Sequence, residues 1–591
     1  MGKLNANYSS YCYDSGTLLN QTMAKYWKQC GTQNDCSESS SSGGENNSGD
    51  EASLKFGRII CCRGMRPLKC PERPGTGGTA LLSSSYESEK DELVDEGHVV
   101  ELIDESRLAY RAEGNANIVL SVMDDHRVLR LRKATIICRD GKDPTIGLQG
   151  LTKYFRVIAS CFSRRYVPEP KLGRLGTYDL EAFNKKLTKY RPVTRLDKEI
   201  RECDGILYPD VAFLPIKLDP ATFLRQDFGQ DTTTRGYWYN TYCVEIKPKQ
   251  GWSFHDECYE DGFTRRELFS NCDSAELAGT ELGKCRFCLY QYLKLQKKSI
   301  GKVSKYCPLD LFSGKPIRML HAVKGLIGAP QNNFRLSKNG RIVYDEKQEK
   351  SVFNRILKEL FPRDGRTKEE RKTIFMNLIK EILLKDFSTY EAHRDRKLLT
   401  IRKDRKKKDK NQIHERTCSP INYQFLPKNC ALMQVLNTQL LVKSSLTKVR
   451  PDLHRQGSSS SPGTFAYIDE LYEKYLDYLE DYCANQVNRT ASDRSRIFID
   501  SYLDEQEKYQ LGATALDCSI MITFRRLADR EEERLPSAAR SHIVTVEAMK
   551  FLVNVTITDL DPKQLNHHKK YLQQLQNSVG AYREFMSKLR R

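Results

Sequence analysis

Cys243-Val244-Glu245-Ile246-Lys247-Pro248-Lys249-Gln250-Gly251 is the stretch from which the rest of this chain is read. It follows Tyr237, Trp238, Tyr239 and Tyr242, aromatic residues that with Val244 suit a β-strand. Side chains two apart on a strand share a face, so Glu245, Lys247 and Lys249 are expected to project together. Pro248 keeps Lys247 extended and removes a ladder donor, which places the strand near its end. Gly251 is then expected to let the backbone turn. A carboxylate followed by two ammonium groups at a strand end suits phosphoryl transfer, because the cations balance charge on the transferring phosphate and on an anionic acceptor. On spacing alone, a solvated edge strand gives the same pattern more often.

Other stretches shift that balance. They are Gly114-Asn115-Ala116-Asn117-Ile118-Val119-Leu120, Tyr306-Cys307-Pro308-Leu309-Asp310-Leu311-Phe312-Ser313-Gly314, Gln331-Asn332-Asn333-Phe334-Arg335 and Asp517-Cys518-Ser519-Ile520-Met521. With the stretch at 245–251, and in this order, they resemble the inositol-pentakisphosphate 2-kinases, enzymes that complete inositol hexakisphosphate. The resemblance runs from about residue 98 to 340 and, more weakly, from about 415 to 575. It implies an α+β, two-lobed inositol-phosphate-kinase fold distantly related to protein kinases, with a nucleotide-binding lobe at 96–244 and an inositol-phosphate-binding lobe at 245–591. It also implies ATP and Mg²⁺ as cofactors and inositol 1,3,4,5,6-pentakisphosphate as the partner, phosphorylated at its 2-hydroxyl.

Composition agrees without choosing a partner. The 591 residues are enough for more than one core, and the formal charge is +19. Such a charge suits nucleic acid, an acidic membrane or a phosphorylated small molecule, and equally serves solubility. Five phosphomonoesters carry on the order of −7.5 to −10 at neutral pH, so a basic pocket is expected for this substrate. The 19 Cys are odd in number and scattered. Residues 1–25 hold no apolar signal-peptide core, no stretch reaches the ~20 apolar residues of a membrane span, and Ala6 breaks the myristoylation pattern. The expectation is a cytoplasmic and nuclear monomer with reduced thiols, no membrane span and no specific nucleic-acid partner.

Along the chain, residues 1–95 are expected to form a disordered tail. Ser37 to Ser42 and Gly43-Gly44-Glu45-Asn46-Asn47-Ser48-Gly49 offer too little apolar surface to offset ordering entropy. Cys61, Cys62 and Cys70 are read as free thiols there. Tyr110–Leu120 and Val128–Arg132 read as a pair of strands, with 114–117 a small-residue loop whose amides approach phosphates. Asp179–Lys189 reads as a helix, as do Arg286–Lys298, 367–386 and Tyr467–Cys483. Gln331–Tyr344 reads as a hairpin turning at Asn339-Gly340. Ser519–Phe524 and Phe551–Ile557 are strand-like, and a terminal helix begins near Lys569. Flexible insertions are expected near 387–415 and 450–464. The first contains Arg402-Lys403-Asp404-Arg405-Lys406-Lys407-Lys408-Asp409-Lys410, a solvated linker or a nuclear-localisation patch.

The resemblance also implies roles. Asp517 is the base for the substrate hydroxyl and Lys247 bridges the transferring phosphate to the acceptor. Asn115, Ala116, Asn117, Arg130 and Glu245 fall on the nucleotide side. Lys249, Arg286, Lys294, Asn332, Asn333, Arg335, Lys563 and Tyr571 fall on the inositol phosphate. Asp559, with Asp517, is implied for Mg²⁺, which prefers hard oxygen donors; Asp561, two residues on, forms an acidic pair with Asp559 at the strand end. His567 stands where the family pattern has Arg and Tyr290 where it has His. Either Arg191 or Arg195 is the arginine of the first lobe that reaches substrate.

Cys285-Arg286-Phe287-Cys288 has the spacing of half a zinc site. Cys272 and Cys307 complete an all-cysteine set, with His255 and His321 as alternatives for the fourth ligand. Free buried thiols are the competing reading. A competing function of another class is a non-catalytic polyanion-binding or nuclear scaffold protein. Such a binder has no need of Asp517 and Asp559 beside the lysine motif.

Overall fold

The computed structural model describes residues 100–114, 116–123, 126–135, 147–163, 165–219, 240–253, 284–362, 365–387, 425–446, 448–449, 465–484, 491–528 and 530–590. Expectations for the 1–95 tail, Asn115, His255, Cys272, the basic run at 402–410 and most of both insertions lie outside these residues.

Six strands build the first sheet: β1 (Glu101–Asp104), β2 (Leu108–Glu113), β3 (Asn117–Val122), β4 (Arg127–Thr135), β5 (Lys171–Gly176) and β6 (Lys198–Pro209), in the order β1-β5-β6-β4-β3-β2. The two strands expected over 110–132 are therefore three. Asn117, expected in the loop, already belongs to β3, and Gly114 N donates to Asn117 O at 2.9 Å across the hairpin end. Period-two alternation buries Ile118, Leu120 and Val122 of β3 with Leu129 and Leu131 of β4. That alternation turns Arg130 and Arg132 to the other face, and it is this that aims Arg130 at the second half of the molecule.

Two helices accompany this half, α1 (Leu148–Ser160) and α2 (Leu180–Thr188). α2 starts as its sequence dictates: Asp179 Oδ1 accepts from Ala182 N at 2.9 Å. Phe183 and Leu187 face the sheet, and the buried Asn184 amide bonds both Ile200 N and Ile200 O. α1 instead buries Tyr154, Val157 and Ile158 in the larger core of the second half.

The second sheet contains β7 (Tyr242–Ile246), β8 (Phe334–Lys338), β9 (Arg341–Tyr344), β10 (Ser519–Arg526), β11 (Ile543–Val546) and β12 (Met549–Thr558), ordered β11-β12-β10-β7-β8-β9 and antiparallel throughout. β7 lies between β10 and β8, so it is a central strand and not an edge. Apolar side chains on both faces explain this, since only Glu245 of its five residues is not buried. The β8–β9 hairpin turns at Asn339 and Gly340, both at positive φ (48° and 75°), as this dipeptide favours.

Around this sheet lie α3 (Arg286–Gln296), α4 (Pro308–Leu311), α5 (Pro316–Gly328), α6 (Lys350–Leu360), α7 (Lys368–Leu384), α8 (Ala431–Ser445), α9 (Tyr467–Ala484), α10 (Ala491–Tyr502), α11 (Glu505–Ala515) and α12 (His567–Arg590). α7 opens with a capping box between Thr367 and Glu370. It buries Ile374, Phe375, Leu378, Ile379, Ile382 and Leu383, the stripe its spacing predicts. The result is an α+β, two-lobed, kinase-like arrangement. No helix among the described residues is long and apolar enough to cross a membrane.

Candidate active site

β7 delivers Glu245 between two neighbours, in register with Met521 of β10 and Arg335 of β8. Arg335 Nη1 donates to Glu245 Oε2 at 3.0 Å, and Ser519 Oγ lies 3.1 Å from Oε1. The same Ser519 Oγ is 2.7 Å from Asp559 Oδ2, which also accepts from Lys247 Nζ at 2.6 Å. Asp559 follows β12 in a left-handed conformation (φ 60°), which a non-glycine residue holds only when its surroundings fix it. Burial opposes charge on Asp559, but the Lys247 ammonium beside it holds the carboxyl well below the usual range.

The strand ends at Ile246. Lys247 still faces Glu245 at 3.7 Å, as the alternation requires. Lys249 does not continue that row: its φ of 59° turns the chain, and the anion it feels most is Asp517. Burial together with the ammonium groups of Lys247, Lys294 and Lys563 pushes Lys249 down to about 8. Three side chains fix this bend. Gln439 of α8, wholly buried, donates to Lys249 O (2.9 Å) and Ala515 O (3.0 Å) and accepts from Gly251 N (2.8 Å). Tyr306 Oη donates to Pro248 O at 2.6 Å, and Tyr571 Oη to Gln250 Oε1 at 2.7 Å. Gly251 is needed for contact and not for a turn: a Cβ there would sit 2.5 Å from the Phe312 ring.

Asp517 lies between α11 and β10, where Lys563 Nζ donates to its Oδ2 at 2.7 Å. Burial works against the charge, yet Lys563 and Lys249 keep this carboxyl far below its usual value. Close by, the Arg286 guanidinium stacks 4.2 Å from the Tyr571 ring centre and donates to Gln574. Lys294 Nζ lies 5.4 Å from the Tyr290 ring centre on the same helix. His567 meets Tyr509 Oη at 3.1 Å; burial and Lys563 push its imidazole down to about 4, so at neutral pH it carries no charge in place of the implied arginine. Asn332 and Asn333 precede β8. Asn333 O accepts from Lys247 N at 3.0 Å, while its buried side-chain Oδ1 has no partner.

The first sheet contributes Arg130, whose Nη2 reaches Asp561 Oδ2 at 2.7 Å. Asn117, with its amide turned to present oxygen, lies 2.6 Å from Nη2 and 3.2 Å from Nε. Arg191 is placed elsewhere: both its Nε and Nη2 bond Glu113, at 3.0 and 2.9 Å, and Nη2 also bonds Arg195 O and Lys198 O. Lys133 pairs with the same Glu113. Arg191 is thus held inside the first lobe.

One regularity joins three of the site's ion pairs and sets them apart from Arg335–Glu245, whose partners are 10% and 17% exposed. Lys247, Lys563 and Arg130 are 13%, 10% and 19% exposed, whereas their partners Asp559, Asp517 and Asp561 are 54%, 51% and 49% exposed. Asp517, Asp559 and Asp561 form no shared three-carboxylate cluster among the described residues. Each of these side chains is about half exposed, and the cation paired with it is less so.

Apart from this centre, the sulfurs of Cys285, Cys288 and Cys307 all lie within 4.8 Å of one another. Cys285 Sγ and Cys307 Sγ are 3.9 Å apart, close to the ~3.8 Å edge of a tetrahedron with ~2.3 Å metal–sulfur bonds. The donor set fits a thiolate metal with a fourth ligand still to come. His321, exposed on α5, is not in the cluster.

Ser519 and Gln439 escaped the sequence reading. Ser519 was visible only as one letter of the 517–521 stretch. Gln439 had one signal, an amide inside the apolar run of α8. A buried polar group needs partners, and here it finds three on two chain segments.

A family model described as inositol-pentakisphosphate 2-kinase matches residues 110–577. Curated relatives include the inositol-pentakisphosphate 2-kinases of Drosophila melanogaster, 27% identical over 50% of this chain and 59% of that protein, and of Danio rerio, 26% identical over 78% and 90%. That of Arabidopsis thaliana is 28% identical over 42% of this chain and 54% of its own. The match covers most of the chain and every ion pair described above, and the chain belongs to the inositol-pentakisphosphate 2-kinase family of phosphotransferases.

Proposed function

We propose that the protein transfers the γ-phosphoryl group of ATP to the 2-hydroxyl of inositol 1,3,4,5,6-pentakisphosphate, giving inositol hexakisphosphate. The observation that carries this reading is the set of three base–acid pairs converging at the end of β7. A polyanion binder gains from the cations but is weakened by carboxylates among them.

In this reading Asn117 and Arg130 meet the nucleotide phosphates, and Glu245, Asn115 and Ala116 serve the nucleotide side. Asp559 and Asp517 offer hard oxygen donors that fit Mg²⁺, which when bound neutralises charge on the phosphates. Lys249, Lys563, Arg286, Lys294, Asn332, Asn333, Arg335 and Tyr571 surround the inositol phosphate, Arg335 while also holding Glu245. Lys247 stands between donor and acceptor. Asp517 is a weak base while Lys563 holds its charge. A substrate phosphate that draws Lys563 away lets its basicity rise toward the ordinary carboxylate value, so the base is readied by the substrate it serves. The chemistry is mostly positioning and charge balance.

Cys285, Cys288 and Cys307, with Cys272 as fourth ligand, hold a structural Zn²⁺ in the same proposal. Its task is to fix the start of α3 and so Arg286 and Lys294. Reduced, unchelated protein should carry about one zinc per chain, and Cys288→Ser should lose it and weaken inositol-phosphate binding together. Zinc-free protein with normal binding would leave free thiols. A monomer acting in cytoplasm and nucleus completes the reading, the basic run at 402–410 supporting the latter.

The test is to incubate pure protein with ATP, Mg²⁺ and a panel of inositol phosphates. Transfer is expected to the pentakisphosphate with a free 2-hydroxyl. Tight polyanion binding without transfer to any acceptor would favour the scaffold reading.

A further inference from the structure

Asp561 is the remaining partner among the site's ion pairs, and its geometry is unlike that of a structural brace. Arg130 gives it one hydrogen bond, from Nη2 to Oδ2 at 2.7 Å. The other carboxylate oxygen, Oδ1, is buried and has no partner, and the Tyr208 hydroxyl beside Arg130 is also buried without one. Among the described residues Arg130 Nη1 makes no hydrogen bond. By contrast, Arg191 gives two bonds to Glu113 and fills its remaining reach with two carbonyls. A guanidinium that gives its anion one bond, shares Nη2 and Nε with the neutral Asn117 amide oxygen and keeps Nη1 to spare is ready to change anions, because a phosphate offers more acceptor oxygens in the same fork geometry. Asp561 itself is kept in place when the partner leaves, since Thr514 Oγ1 donates to its backbone carbonyl at 3.2 Å and Tyr154 Oη backs Thr514 at 2.7 Å.

We infer that Asp561 is an internal stand-in for nucleotide phosphate: it occupies Arg130 in the empty enzyme and must yield it before the nucleotide can be held. The inference rests on the nucleotide role proposed for Arg130 and adds a competitor for it. In the empty enzyme Asp561 keeps Arg130 at the junction of the two sheets and neutralises it, which disfavours capture of other anions. Its exchange lowers the apparent affinity for nucleotide by the share of molecules in which Arg130 is paired.

The test uses the full chain and ATP in excess chelator, so that no divalent cation takes part. Calorimetry compares wild type, Asp561→Asn, Arg130→Met and the double variant. Asp561→Asn should bind metal-free ATP about three- to tenfold more tightly, the scale of losing one partly exposed charged pair. That gain should vanish in the Arg130→Met background. A gain that persists there would be a general effect of removing a negative charge and would overturn the inference. So would unchanged metal-free affinity in Asp561→Asn with weakened Mg²⁺·ATP binding, which would make Asp561 a metal ligand only. If Arg130→Met alone leaves ATP affinity unchanged, the nucleotide role of Arg130 fails, and the competition fails with it. If Arg130→Met weakens ATP while Asp561→Asn changes nothing, that role stands and the competition alone is lost.

Discussion

Glu113, Arg191 and Lys133 form an ion cluster inside the first sheet, and ion pairs of ordinary length join Lys247 to Asp559, Lys563 to Asp517 and Arg130 to Asp561 at the site. Distance alone does not separate them. Burial of the acid does. Glu113 is sealed with both cations, whereas each of the three aspartates of the site is about half open while its cation is less exposed than it is. A sealed cluster must be satisfied internally, because removing one member leaves a buried charge unpaired. A half-open pair keeps the empty pocket near neutrality and can trade its partner for a metal or a phosphate. The Arg525–Asp219 pair, buried on both sides, belongs with the first kind.

The comparison breaks most easily at Asp517. Asp517→Asn should lower kcat by roughly 10² to 10⁴ and leave nucleotide affinity nearly intact, the scale of general acid–base help. Single-turnover kinetics and calorimetry on one preparation check this, and near-normal turnover would remove Asp517 from the chemistry. The opposite pole is Glu113. Glu113→Gln should destabilise the protein by about 3 to 5 kcal/mol, because Arg191 and Lys133 lose their buried partner. Chemical unfolding measures it; a large change in Michaelis constant without loss of stability would place Glu113 with the site instead.

Lys249 sharpens the contrast from a third side, being a half-buried cation crowded by other cations. Lys249→Ala should raise the Michaelis constant for the inositol phosphate far more than that for ATP, with a loss on the order of 1.5 to 3 kcal/mol for a charged hydrogen bond. Equal effects on both substrates would count against it. The smallest effect is on stability. Because the folded ammonium titrates near 8 and the unfolded one near 10.5, unfolding takes up a proton between those values. The penalty is complete below pH 8 and fades as pH rises toward 10.5. Lys249→Met should therefore raise Tm at pH 7, by about 1 to 2 °C, and raise it less at pH 9.5. A Tm that falls at pH 7 would show that Lys249 is held by an anion after all.

Much of this was legible before any coordinates. The helices at 180–188, 286–296 and 368–384 announce themselves through apolar spacing, and the 339–340 turn through its Asn-Gly pair. These are local signals, and local physics decides them. The quoted stretches around Glu245 and Asp517 also meet in space as one site. What local reasoning missed was set by tertiary contact. Lys249 leaves its strand row because Gln439 and Tyr306 bend the chain. Gly251 answers to the Phe312 ring, and Arg191 is claimed by a glutamate 78 positions away. No spacing rule carries those partners. Ser519 illustrates the same limit, since a serine opening a strand is unremarkable until two carboxylates from β7 and the end of β12 converge on its hydroxyl.

The central claim is that the half-open pairs exchange partners while the sealed cluster does not. An experimental structure with a non-hydrolysable ATP analogue, Mg²⁺ and inositol pentakisphosphate tests it directly. The account predicts that Lys247, Lys563 and Arg130 leave Asp559, Asp517 and Asp561 for phosphate oxygens, with Glu113, Arg191 and Lys133 unmoved. Both ligands bound with the three pairs still closed, or bound away from the end of β7, would contradict it.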